Sequence, residues 1–251
     1  MILESSAGLL AFFGAMLGLL ELGRRIGRRS HAIDPAAAGA GLGTIESAVL
    51  ALLGLLIAFT FSGANSRLET RRNLIVQEAN AIGTAWLRLD LLPAETRIAL
   101  QGDFRRYVEA RLAVTRHESP ETAAAWEPLQ AEIWTRAVEA SRSRELEPAA
   151  RLLLPALNDM FDVANARSLA MHTHAPTVVF VMLVALALVC ALLAGYGMAA
   201  NQQRSWLHIL CFTGTLLLVV YVIWDVEFPR DGLIRVDKAD QLLLALRSMM
   251  K

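Results

Sequence analysis

The sequence predicts an all-α integral membrane protein. Four transmembrane helices form two hairpins, a helical soluble domain is inserted between them, and the second helix continues from the membrane into that domain. Three observations predict this. The chain has 251 residues, 55% of them hydrophobic, and a mean hydropathy of +0.43, more apolar than an ordinary soluble domain. Its charge is segregated. Residues 64–174 carry 14 Arg and 15 Asp or Glu, whereas residues 7–20, 47–63 and 177–200 carry none. Uncharged apolar runs of about 17–25 residues have the length that crosses a bilayer. Finally, no proline interrupts residues 45–92. The apolar run 47–63 passes directly into a charged helical pattern that stops at Pro93. Such a helix spans about 70 Å at 1.5 Å per residue, roughly twice the thickness of the hydrocarbon core.

The first hairpin is expected within residues 1–63, with spans at about 6–22 and 46–63. The opening MILESS holds no Lys or Arg, so a cleaved signal peptide is not expected. Gly14 and Gly18 make a GxxxG pair. It either admits a close helix neighbour or reflects the frequency of glycine in membrane helices. After RRIGRR (24–29), AAAGAGLGT (36–44) reads as a linker. Its glycines do not spell G-x-G-x-x-G and follow no strand, so a phosphate loop is not expected.

In the extramembrane domain, 64–174, the extension of the second helix shows an apolar side at Leu68, Ile75, Ala79, Ile82 and Trp86. A helix over 94–117 offers Ile98, Leu100, Phe104, Tyr107, Val108 and Leu112. Ser119 and Pro120 open a third helix that runs through Ala140, kinked at Pro128. A fourth starts near Pro148 with Leu154, Leu157, Phe161 and Leu169 inward. The second hairpin occupies 175–226, with spans at about 176–200 and 206–224 and a tight reversal at 201–204. Trp206 and Trp224 stand about 27 Å apart along the axis, one for each interface. From Asp225 a loop leads into the tail, 227–251, which ends in a short helix over 237–250.

Several function classes drop out. Net charge is zero, and no basic patch is interleaved with aromatics, so nucleic acid is not a partner. Cys190 and Cys211 both fall in spans and define neither a disulfide framework nor a metal site. His172 and His174, two apart, diverge on a helix. No Ser-His-Asp set, nucleophile elbow, Walker loop, HExxH or zinc spacing occurs. No enzyme activity, cofactor or metal is expected.

The remaining candidates concern ions. Leu53, Ile57 and Phe61, spaced by four on the second span, are the expected pore lining. An apolar ring repeated around an oligomer gates by dewetting, and the competing reading is plain helix packing. Arg67, Arg71 and Arg72 lie just beyond the membrane, as an anion-attracting vestibule or as snorkelling headgroup contacts. Asn158, Asp162 and Asn165 share a helix face, fit to hold a cation or to pair with an arginine. Asp225, Glu227 and Asp231 flank the turn marked by Pro229 and Gly232, where they bind a cation or cap a helix. Glu78 and Asn80 read as surface or inter-helix contacts.

Two stretches resemble a known family. One is residues 52–92, with EANAIGTAWLRLDLLP ending at Pro93. The other is Asp225-x-Glu227-x-Pro229-x-x-Gly232-x-Ile234-x-Val236. Both, with the order of two spans, helical domain and two spans, resemble the bacterial bestrophin-like membrane proteins. Bestrophins are pentameric ion channels whose second helix lines the pore. Their Phe, Arg, Arg and Leu at relative positions 0, 8, 13 and 15 match Phe59, Arg67, Arg72 and Leu74. The Arg that follows their Phe is Thr60 here, and their paired tryptophans are Leu68 and Glu69.

The resemblance implies a homo-oligomeric, pentameric channel for small inorganic ions in the bacterial inner membrane. The alternative is a non-conducting, membrane-anchored sensor or scaffold whose helical domain binds a partner or ligand. Two charge counts oppose each other on sidedness. The arginines after the first span favour an outside N-terminus, whereas Arg67, Arg71, Arg72, Arg230, Arg235 and Lys238 crowd the other face. The first count sets the expectation, although the resemblance implies both termini in the cytosol.

Overall fold

The computed structural model describes residues 6–33, 42–116, 125–200, 205–229, 234 and 237–250. Among them every regular element is helical: α1 (Ser6–Ile33), α2 (Leu42–Arg88), α3 (Ala94–Arg116), α4 (Glu127–Ala140), α5 (Glu147–His172), α6 (Thr177–Gly197), α7 (Trp206–Glu227) and α8 (Asp237–Met249). Four helical stretches are long and apolar enough to cross a membrane. The chain divides into two compact units. One holds Met1–Arg67 and His174–Ile234, the other Leu68–Thr173 and Arg235–Lys251. α2 belongs to both and passes Gly63 without a break.

In the first unit α1 packs mainly on α6. Glycine makes that crossing possible. A Cβ on Gly23 would lie 2.0 Å from the Leu192 carbonyl oxygen, and one on Gly195 would lie 1.9 Å from that of Leu20. Gly27 presses on Tyr196 and Ala199 in the same way. Gly23 and Gly27 are four apart, so both meet the neighbour on one face. Gly14 and Gly18 instead meet nothing within 4 Å. α1 does not stop near residue 22; it remains helical through all four arginines, since charge alone does not end a helix. The core gathers Phe12, Met16, Leu53, Phe180, Leu183, Ala187, Leu216, Val220 and Trp224. Cys190 is buried there, whereas Cys211 on α7 is exposed.

Two boundaries differ from expectation. α7 continues past Trp224 to Glu227, so Asp225 and Glu227 stand in the last helical turn, not in a loop. Pro128 sits in the first turn of α4, after a turn at residues 125–126. It opens a helix instead of kinking one, because the first turn needs no N–H from it. The Ser119–Pro120 cap, the reversal at 201–204 and most of the linker at 36–44 lie outside the described residues.

The second unit buries Ile82, Leu89, Leu100, Phe104, Tyr107, Leu153, Leu157 and Met160. Leu243 and Leu246 of α8, with Met250 just after it, close the unit. Arg105 Nε donates to the Met250 carbonyl at 2.7 Å, and Arg247 pairs with Glu109. Ile98 and Leu169 are exposed, against expectation. Ile98 stands two residues, about 200°, from the buried Leu100. Leu169 lies off the stripe of Leu153, Ala156, Met160 and Ala164 that faces the core.

Candidate functional site

α2 carries the expected pore lining and the three arginines that follow it. Its buried positions, Leu53, Thr60, Ala64, Leu68, Arg71, Ile75, Glu78 and Ile82, recur every three or four residues apart from one step of seven, forming one stripe. The opposite side is exposed: Ala51, Leu55, Ala58, Ser62, Asn65, Glu69 and Asn73. The sequence-derived row falls across this divide. Leu53 is 2% exposed inside the first unit's core, Ile57 packs half-buried against that core, and Phe61 is 43% exposed. A spacing of four residues turns a helix by about 400°, so each step drifts about 40°. The three therefore wind from the enclosed side towards the open one.

The three arginines after the span are spoken for in different ways. In the first unit, Arg67 grips Glu227 with both carboxylate oxygens engaged: Nε lies 3.0 Å from each and Nη2 is 2.6 Å from Oε2. Glu227 is wholly buried. It also accepts the Ala175 backbone N–H at 3.0 Å, and His174 Nδ1 lies 3.4 Å from Oε1. A buried carboxylate needs such partners, because an uncompensated charge in an apolar surround is costly. His174 stacks on Phe228 at 4.6 Å, Phe228 lies 4.4 Å from Trp224, and Trp224 meets Phe180 edge-on. Asp225, also buried, accepts the Ile234 N–H at 2.9 Å. Asp231 lies outside the described residues.

In the second unit Arg71 is buried and donates to the carbonyls of Ala170 and Thr173 at 3.1 and 2.9 Å. It thereby satisfies acceptors that the end of α5 leaves open. Arg72 stays at the surface and pairs with Glu69 at 3.1 Å.

The same unit holds a buried charge cluster. Glu78 receives Arg111 Nε on one oxygen and Arg167 Nη1 on the other, both at 2.5 Å. Arg111 also reaches Ser168 Oγ at 3.3 Å and lies 4.7 Å over the Trp126 ring. Burial pushes the Glu78 carboxyl up, but the two guanidiniums and their hydrogen bonds outweigh it and hold the group below its ordinary value. Burial pushes the nearby Tyr107 hydroxyl up. Sequence reasoning placed Glu78 as a contact but passed over Arg111 and Arg167. The available signal was position. Arg111 falls in line with Phe104, Tyr107 and Val108, and Arg167 with Met160 and Ala164, where an apolar residue would be the default.

Asn158 Nδ2 donates to Asp162 Oδ2 at 3.0 Å on the exposed side of α5, and Asn165 is exposed one turn on. Among the described residues no three His, Cys, Asp or Glu side chains gather as a metal site would need.

A model of the bestrophin-like domain matches residues 10–241. The chain belongs to the bestrophin-like family. Solved structures agree on the fold of this bestrophin-like protein. It is similar to a mutant bestrophin homolog from Klebsiella pneumoniae at 15% identity and a TM-score of 0.69, over 95% of this chain and 99% of that one. A second structure of the Klebsiella pneumoniae homolog gives 15% identity and 0.68, over 93% and 97%. A further membrane-protein structure gives 14% identity and 0.65, over 94% and 98%. Among curated proteins none matches the chain. The bestrophin-like protein is thus an all-α integral membrane protein with four spans and an inserted helical domain.

Proposed function

We propose that this bestrophin-like protein is a homo-oligomeric channel for small inorganic ions, with α2 of each copy facing a shared axis. One observation carries the reading: along a 47-residue helix, Ala51, Leu55, Ala58, Ser62, Asn65, Glu69 and Asn73 form one side that is exposed among the described residues. An apolar side in the span followed by a polar one beyond it is what an ion path requires. Family membership supports the reading, because the resemblance set out from the sequence implies pentameric channels lined by the second helix. Exposure also refines the lining. Ala51, Leu55 and Phe59 are spaced by four and all exposed. They form the axial row in this reading, while Leu53 and Ile57 brace the helix from behind. The bacterial inner membrane is the expected location. In this reading the N-terminus is expected outside, because Arg24, Arg25, Arg28 and Arg29 all follow the first span.

The test is ion flux in liposomes together with mass measurement in detergent. Each chain weighs 27.4 kDa, so a pentamer is easily told from a monomer. Leu55→Ala and Phe59→Ala are expected to raise the flux by widening an apolar constriction, and Leu53→Ala to leave the axial row untouched. A protein that is monomeric and passes no ions would sink the proposal.

A further inference from the structure

We propose that Glu69 and Arg72 together set the charge preference of the ion path and cancel one another in the native protein. The inference rests on the channel reading above and goes on to name the residues that discriminate between ions. It follows from how the charges of α2 are used. Among the described residues that helix carries Glu46, Arg67, Glu69, Arg71, Arg72, Glu78 and Arg88. Glu46 lies at its start, beside Gly197. Arg67 is committed to Glu227, and Arg71 to the carbonyls at the end of α5. Glu78 is enclosed by Arg111 and Arg167, and Arg88 donates to the Leu152 carbonyl.

Glu69 and Arg72 are what is left. Glu69 stands on the exposed side in line with Ser62, Asn65 and Asn73. Its side chain is 52% exposed, that of Arg72 is 40% exposed, and the two meet at 3.1 Å across one turn. The arginine group that the sequence offers as an anion-attracting vestibule therefore reduces to one guanidinium, held by one carboxylate. Around a ring of copies the pair contributes alternating charges with no net sign. Such a lining concentrates neither cations nor anions. Removing either partner leaves a ring of one sign, which raises the local concentration of the opposite ion.

The experiment measures reversal potentials of the full-length protein in planar bilayers under a salt gradient. Glu69→Gln should shift the cation-to-anion permeability ratio towards anions, and Arg72→Gln towards cations. Each shift should be roughly tenfold, the low end of what a charged lining achieves. The double variant should return to the native ratio. Both shifts should shrink at 1 M salt, where screening acts over about 3 Å. An exposed pair of this spacing adds little to stability, so the variants should fold, and their elution from a sizing column checks this. Conducting variants that keep the native ratio, or that shift in the same direction, would overturn the assignment while leaving the channel standing. A native protein that passes no ions would overturn the channel reading and this inference with it.

Discussion

The two stretches of α2 are packed by opposite means. Up to Arg67 the helix gives its own chain little: Leu53, Thr60 and Ala64 are buried, and much of the remaining surface is open. From Leu68 onward it gives a full stripe, Leu68, Ile75, Ile82 and Ala85, and places Arg71 and Glu78 within it. The difference follows from the solvent. In water an apolar helix side must be covered by protein, since burial of apolar area is what holds a soluble domain together. In a bilayer, lipid or another copy of the chain covers it, and the chain is released from doing so. Thr60 illustrates the constraint that remains. Its hydroxyl, buried at membrane depth, donates to the Leu56 carbonyl at 2.6 Å, because no water is there to take it.

The comparison breaks most readily at Glu78. Replacing it by Ala leaves Arg111 and Arg167 buried without their carboxylate, which should cost about 3–5 kcal/mol. Chemical denaturation of the detergent-solubilised protein reads this directly, and a loss under about 1 kcal/mol, the worth of a surface pair, would contradict it. The same group predicts a pH response. Because the folded Glu78 titrates below its ordinary value, its contribution is complete above the ordinary carboxylate range. It is lost as pH falls through the lower, folded value. The native protein should therefore lose stability in acid more steeply than Glu78→Gln does. Next in size is the membrane stretch. Leu53→Ala should cost about 2–5 kcal/mol, as enclosed leucines do, while Phe61→Ala should change the melting midpoint far less. Equal losses would mean that the two sides of the helix are not distinct. The smallest effect belongs to Arg72→Gln, at about 0.2–0.5 kcal/mol, visible in permeation long before it is visible in stability.

Much of this architecture could be read from the residues. Uncharged runs mark the spans, and the lack of proline between residues 45 and 92 marks the long helix. What escaped had physical causes. RRIGRR reads as the end of a span, yet the helix that carries it runs on to Ile33. Charge marks where lipid stops and says nothing about where a helix stops. Arg67 reads as a solvent-facing charge because its partner Glu227 is 160 positions away. Glycine pairs look alike in sequence, yet Gly14 and Gly18 meet nothing within 4 Å while Gly23 and Gly27 make the crossing. For Leu53, Ile57 and Phe61 the spacing of four reads as a single face, yet each step drifts about 40° around the helix.

The two cysteines differ in a way that has a practical use. Cys190 is shut inside the first unit and Cys211 lies open on α7. Cys211 stands less than two turns inside a spanning helix, so a membrane-permeant maleimide dye should mark it once per polypeptide, while a charged one is kept out by lipid. Under single-molecule illumination each labelled particle then fades in discrete steps, and the number of steps counts the chains it holds, one if the protein is monomeric.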